Sequence, residues 1–285
     1  MNPTLTPDLL SDLRQLTEFP FMVNALVAGT IVAVLAAVIG WYVVLRRQTF
    51  LSHTLSLMAF PGAAGASLAG LPIALGYYLA CTVAALVIGR TGPSTQGRFG
   101  SETAAIGTVQ TTGLAAGFLF LSLNQAVLAE PDSLLFGTFL GITASQVLVL
   151  LGVAVAVLGT MAMIGRPLLF ATVDRDVARA SGVPVSWLDA AFAVLLGLAI
   201  AATSQITGAL LVFALLVAPA ACAQTITRAP RAGLALSTGL ALVIVWLSLA
   251  VAYFTIYPVG FYVTTLAFVL YAALRVGRWL RDRRP

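Results

Sequence analysis

Long apolar runs in this chain alternate with arginines, and the arginines fall in every second connection. Arg46 and Arg47 follow the first run, Arg90 and Arg98 the third, and Arg166, Arg175 and Arg179 the fifth. Arg228 and Arg231 follow the seventh, and Arg275, Arg278, Arg281, Arg283 and Arg284 the last. The connections between these hold no basic residue. Basic side chains are retained on the cytoplasmic side of a membrane, so the pattern predicts a chain that crosses repeatedly, each odd-numbered run ending inside. Of the 15 basic residues only Arg14, ahead of the first run, falls outside.

Composition agrees: 60% hydrophobic and 9% charged residues over 285 positions exclude a soluble domain. A net charge of +5 would point to nucleic acid in a soluble chain. Here the arginines are read as anchors beside anionic lipid headgroups, and no nucleic-acid partner is expected. A hydrocarbon core about 30 Å thick needs about 20 apolar residues per helix. Nine candidate spans follow: Phe21 to Leu45, Ser52 to Leu71, Ile73 to Ile88, Ala104 to Leu123, Ala144 to Ile164, Trp187 to Thr203, Gly208 to Thr227, Ala232 to Ile256 and Gly260 to Trp279. The fold class expected is all-α, a polytopic helical bundle of about nine transmembrane helices, N terminus outside and C terminus inside. Only Ser204 to Thr207 separates the sixth and seventh runs, which form either a tight hairpin or one broken helix. An eight-span count would put both ends on one side, against the arginine alternation.

Residues 1–20, with Asp8, Asp12, Arg14 and Glu18 among leucines, are predicted as an amphipathic segment on the outer face. Residues 21–279 form the membrane domain, with a cytoplasmic loop at 166–189, and 280–285 a basic cytoplasmic tail. Cys81 and Cys222 lie inside apolar runs and are read as packed thiols. Trp41, Tyr42, Tyr77, Tyr78, Tyr253, Tyr257, Tyr262 and Trp279 lie near span ends, where aromatic rings anchor at the headgroups.

None of the 10 carboxylates lies well inside an apolar run. Carriers driven by protons or sodium hold intramembrane acids for coupling, so the drive is expected from elsewhere. The chain has no lysine, hence no P-loop lysine to meet phosphates. A separate ATPase subunit is the expected source. An intramembrane enzyme is not expected: a single histidine rules out an HExxH metal site, and no G-x-S-x-G elbow is present.

Two constellations remain. In the loop, Asp174, Val177, Ala178, Ala180, Ser181, Gly182 and Val183 predict a two-turn helix closed by Gly182 ahead of Pro184. Such a short helix with small residues can seat in a groove of another protein; the alternative is a solvated loop. The second constellation is Thr49, Ser52, His53, Thr54 and Ser56, leading into Pro61 and a stripe of Gly62, Ala66 and Gly70. Imidazole is a good ligand for zinc- or manganese-class ions; the alternative for His53 is a histidine at the headgroup boundary, hydrogen-bonded to a neighbour and without a part in transport. The stripe suits either close helix packing or a narrow path. Pro219 should kink its span, as a gate hinge or as a fixed kink.

Four segments carry a resemblance. Asp174 to Asp189 resembles the cytoplasmic loop of the manganese/zinc/iron-type ABC permeases. Gly208 to Ala223, which contains Pro219, resembles their most recognisable transmembrane stretch, and Ser101 to Gly107 and Asp132 to Gly141 also match in order. The resemblance implies a permease without covalently bound cofactor, moving a zinc or manganese ion, with ATP bound on partner subunits. It implies two cytoplasmic ATPase subunits, an extracytoplasmic solute-binding protein that delivers the metal, and a second permease chain, identical or not. It makes Asp174 to Val183 the coupling helix. It makes His53 the metal ligand on a path with Thr49, Ser52, Ser56, Gly62, Ala66 and Pro219. Thr49 stands where the family carries an aspartate one turn before the histidine, so a chelated metal or another cargo stays open. Glu130 and Asp132, in an outer connection without a basic residue, could dock a basic patch on the binding protein or attract cations, and loop solvation alone accounts for them as well.

Overall fold

A computed structural model describes residues 19–90, 99–124, 141–255 and 257–282. The N-terminal segment before Phe19, Glu130, Asp132, most of the Asp132 to Gly141 motif and the last three residues of the tail lie outside them. Every regular element among the described residues is an α-helix. We number them α1 (Pro20–Leu45), α2 (Thr49–Leu68), α3 (Ile73–Arg90), α4 (Phe99–Leu123), α5 (Ala144–Val173), α6 (Arg175–Ala180), α7 (Val185–Thr207), α8 (Ala209–Ile226), α9 (Pro230–Tyr253) and α10 (Val259–Asp282).

Each of the nine apolar runs coincides with one long helix, and α6 is the short helix of the 166–189 loop. Among the described residues six helices are long and apolar enough to cross a membrane: α1, α4, α5, α7, α9 and α10. Helices α3 and α8 are apolar but shorter. Helix α2 has the length, yet its first turns carry Ser52, His53, Thr54 and Ser56.

Helix ends follow local chemistry. Helix α2 stops at Gly70, whose φ of +68° L residues avoid. There the Gly70 N–H bonds the Ser67 carbonyl and the Leu71 N–H bonds the Ala66 carbonyl, the paired bonds of a Schellman cap. Gly70 therefore closes α2 and does not extend the stripe of small residues. Helices α7 and α8 are parted by Gly208 alone, at φ +79° and ψ 157°, a backbone region essentially confined to glycine. Pro230 opens α9 at its first turn, where a missing N–H costs nothing.

The helices pack as two units. One draws on Met1–Val44, Thr138–Gly152 and Ala214–Pro285. Here Gly40 of α1 sits against the Leu216 backbone, leaving no room for a methyl group. Gln224 Nε2 donates to the Trp41 carbonyl at 2.8 Å, Ser237 Oγ to the Ala37 carbonyl at 3.4 Å, and Trp246 Nε1 to Thr30 Oγ1 at 3.0 Å. Trp41 is thus buried in this unit, its indole against Gly233, and is no headgroup anchor. Tyr257 and Trp279 are exposed as an anchor requires.

The other unit draws on Leu45–Gly137 and Val153–Phe213. Its centre is α2, which packs on α3, α4 and α7. Gly62 and Ala66 of α2 face Gly76 and Ala80 of α3 so closely that a methyl on Gly76 would run into the Gly62 carbonyl. Small residues let two backbones meet where lipid offers no hydrophobic drive between helices. Tyr77 is buried beside this seam, again as core and not as anchor.

Candidate functional site

His53 sits in the first turn and a half of α2, half-buried. Its ring meets the Phe213 ring edge-on, with centroids 4.8 Å apart. Its Nδ1 is buried without a hydrogen-bond partner. A buried unsatisfied nitrogen is uncommon and marks a place where a ligand can supply the missing interaction. The neighbouring hydroxyls are otherwise engaged. Ser52 Oγ donates to the Thr49 carbonyl and Ser56 Oγ to the His53 carbonyl, each at 2.8 Å, within their own helix. Thr54 Oγ1 donates to Gln110 Oε1 at 2.9 Å, tying α2 to α4. Among the described residues no group of three His, Cys, Asp or Glu side chains is gathered for a metal. A divalent transition ion takes four or more ligands, so His53 offers a single nitrogen and no cage.

The other predicted path residues are placed as follows. Gly62 and Ala66 lie in the α2–α3 seam, and Gly62 also borders an apolar cavity of about 460 Å³ lined by Met58, Pro61, Val83 and Thr112 among others. Thr49 begins α2, and Pro219 is buried inside α8, in the first unit.

The loop builds a second feature, α6. Asp174 caps it: its Oδ1 accepts the N–H groups of Asp176 and Val177 at 3.2 and 2.9 Å. At the other end the Gly182 N–H bonds the Arg179 carbonyl and the Val183 N–H the Ala178 carbonyl, both at 3.0 Å, with Gly182 at φ +81°. Ala178 is fully buried, while Val177, Ala180 and Ser181, at helical spacing on one face, are exposed. The cap acid, the inward alanine and the left-handed glycine account physically for the Asp174, Ala178 and Gly182 pattern.

What sequence reasoning missed is how α6 is held. Asp189, in the first turns of α7, accepts from two arginines: Oδ1 from Arg46 in the link ahead of α2, and Oδ2 from Arg175 of α6. The Arg46 side chain is only 6% exposed. It also donates to Thr172 Oγ1 at 3.2 Å and to Gln48 Oε1 at 3.3 Å, and it lies over the Phe192 ring at 5.2 Å. The one sequence signal was a carboxylate at the edge of an apolar run.

The ABC 3 transport family matches residues 18–276, from the start of α1 to within α10. The chain belongs to the ABC 3 transport family. Relatives in curated collections include the manganese transport system membrane protein MntC of Halalkalibacterium halodurans, 29% identical over 75% of this chain and 72% of that one. The chelated iron transport system membrane protein YfeC of Yersinia pestis is 31% identical over 77% of this chain and 73% of its own length. Among solved structures, PsaBC from Streptococcus pneumoniae in complex with Fab superposes with a TM-score of 0.81, at 24% identity, covering 94% of this chain and 95% of that one. At that identity the likeness speaks for the fold. Family and apolar helices together make this a multi-pass membrane protein of a transport system.

Proposed function

We propose that the chain is the transmembrane permease of an ATP-driven importer for divalent metal ions, zinc or manganese, in the cell membrane. The observation that carries this reading is the family match over residues 18–276. The manganese relative and the chelated-iron relative favour a metal cargo. In this reading the N terminus is outside, the C terminus inside, and α6 is the coupling helix on the cytoplasmic face. Two ATPase subunits bind ATP there, a solute-binding protein delivers cargo from outside, and a second permease chain completes the path. ATP binding draws the ATPase subunits together and moves α6 through its exposed Val177, Ala180 and Ser181. The helices then rock and the path past His53 changes its open side. The chain's own chemistry is that of contact: the free Nδ1 of His53 meets the passing ion and, being a lone donor, lets it leave.

A second reading keeps the architecture and changes the cargo to a chelated metal. The single imidazole, with Thr49 in place of an acid and hydroxyls bound to their own backbone, favours a cargo that brings its own ligands. Uptake by the permease reconstituted with its ATPase and binding protein separates the two. With zinc, manganese and iron supplied as free ions, the first reading expects one ion to accumulate and His53→Ala to reduce its uptake at normal protein level. Hydrolysis of ATP without movement of any free ion would sink the first reading and leave the second.

A further inference from the structure

A helix of six residues has no stability of its own. Pushed from one side, α6 would tilt on the turns that flank it unless something rigid held it. Burial of Ala178 is one hold, and the carboxylate of Asp189 is the other. Its two oxygens are divided between Arg175 of α6 and Arg46, three residues ahead of α2. Arg46 is itself fixed by Thr172, Gln48 and the Phe192 ring. One anion therefore joins α6, the base of α7 and the root of the helix that bears His53. Charge-assisted bonds to an arginine fork are strong and directional. A guanidinium as buried as Arg46 cannot lose its partner without leaving a charge uncompensated.

We propose that Asp189 is a positioning residue that clamps α6 to the root of α2, so that a displacement of α6 reaches His53 instead of being absorbed in the loop. This deepens the proposed function and rests on α6 being the piece the ATPase moves. The route is short and lies within one packing unit: α6 to Arg175, Asp189, Arg46 and then α2. The partly exposed Arg175 is the arm to cut, because α6 keeps both its caps and the Arg46 pair stays intact.

The experiment uses the complete complex in proteoliposomes and reads cargo imported per ATP hydrolysed, a ratio independent of protein yield. Arg175→Gln should leave ATP hydrolysis near its parent rate and lower the ratio about tenfold. Arg175→Lys, which keeps the cation, should restore most of it. An unchanged ratio in Arg175→Gln overturns the clamp. A spin label on Val177→Cys gives an independent reading, since the native Cys81 and Cys222 are buried. The label should be held in the parent and loosened by Arg175→Gln, and an identical spectrum in both overturns the clamp as well. Val177→Arg on the exposed face of α6 tests the underlying reading: if hydrolysis and import persist unchanged, α6 is not the ATPase contact, and the clamp falls with it.

Discussion

A methyl group added at position 76 is the smallest change that this fold should resist. The Gly62 carbonyl and the Ala66 Cβ occupy the space it would take, the latter at 2.6 Å, and both belong to packed helix faces that cannot turn aside. Overpacking of this kind costs about 1–3 kcal/mol. Gly76→Ala should therefore lower the apparent melting temperature of the purified protein. Gly159→Ala, where nothing lies within 4 Å, is the control and should not. Equal melting in the two variants would mean that the seam can part without cost. At this scale the sequence was half legible. Small residues at steps of four announced a close approach, but Gly62, Ala66 and Gly70 looked alike. Only the backbone separates them, because φ at Gly70 is +68° and its role is to end a helix. His53 lies near the start of a helix, as the apolar pattern places it, yet neither Phe213 nor the inward turn of Ser52 and Ser56 toward their own backbone could be read from spacing.

Helix α6 is the element in which local chemistry and expected function meet most directly. Its start depends on Asp174 and its end on Gly182, so each end can be tested apart. Removing an N-cap acid costs about 0.5–2 kcal/mol of local helix stability. Asp174→Ala should raise amide exchange at Asp176 and Val177, whose N–H groups it frees, while the membrane helices stay protected. Gly182→Arg places a long side chain where φ is +81° and should separate ATP hydrolysis from import while the protein remains folded. Normal import by Gly182→Arg would refute the coupling role. Legibility here was good because caps act within five residues. It failed for Arg46, which meets Asp189 across 143 positions and whose importance no local pattern announces. Ion pairs of that reach are chosen by the packing of whole helices, and packing is what one sequence conceals.

For the molecule as a whole, the alternation of arginines predicts a side for every helix end, and that prediction can be tried independently of cargo. Helix α5 runs from Ala144 to Val173, long enough to cross a hydrocarbon core of about 30 Å at 1.5 Å per residue. Arg166 lies within its last turns and Arg175 and Arg179 just beyond. Retention of those charges inside requires the Ser145 end to face out. Single cysteines at exposed Ser145 and exposed Val177, with the buried Cys81 and Cys222 replaced by alanine, report the two sides to a thiol reagent that cannot cross the membrane. In intact cells Ser145→Cys should react and Val177→Cys should not, and in inverted vesicles the order should reverse. Reaction of both from one side would break the alternation, and α6 would lose its place on the face where an ATPase can reach it. The same pair carries the apolar count further. If α5 crosses with its basic end inside and each of the nine apolar runs is a span, the arginines after α1, α3, α8 and α10 lie inside as well. That count requires the shorter α3 and α8 to cross as well, α3 packed on α2 and α7, and α8 on α1 at Gly40 and Trp41.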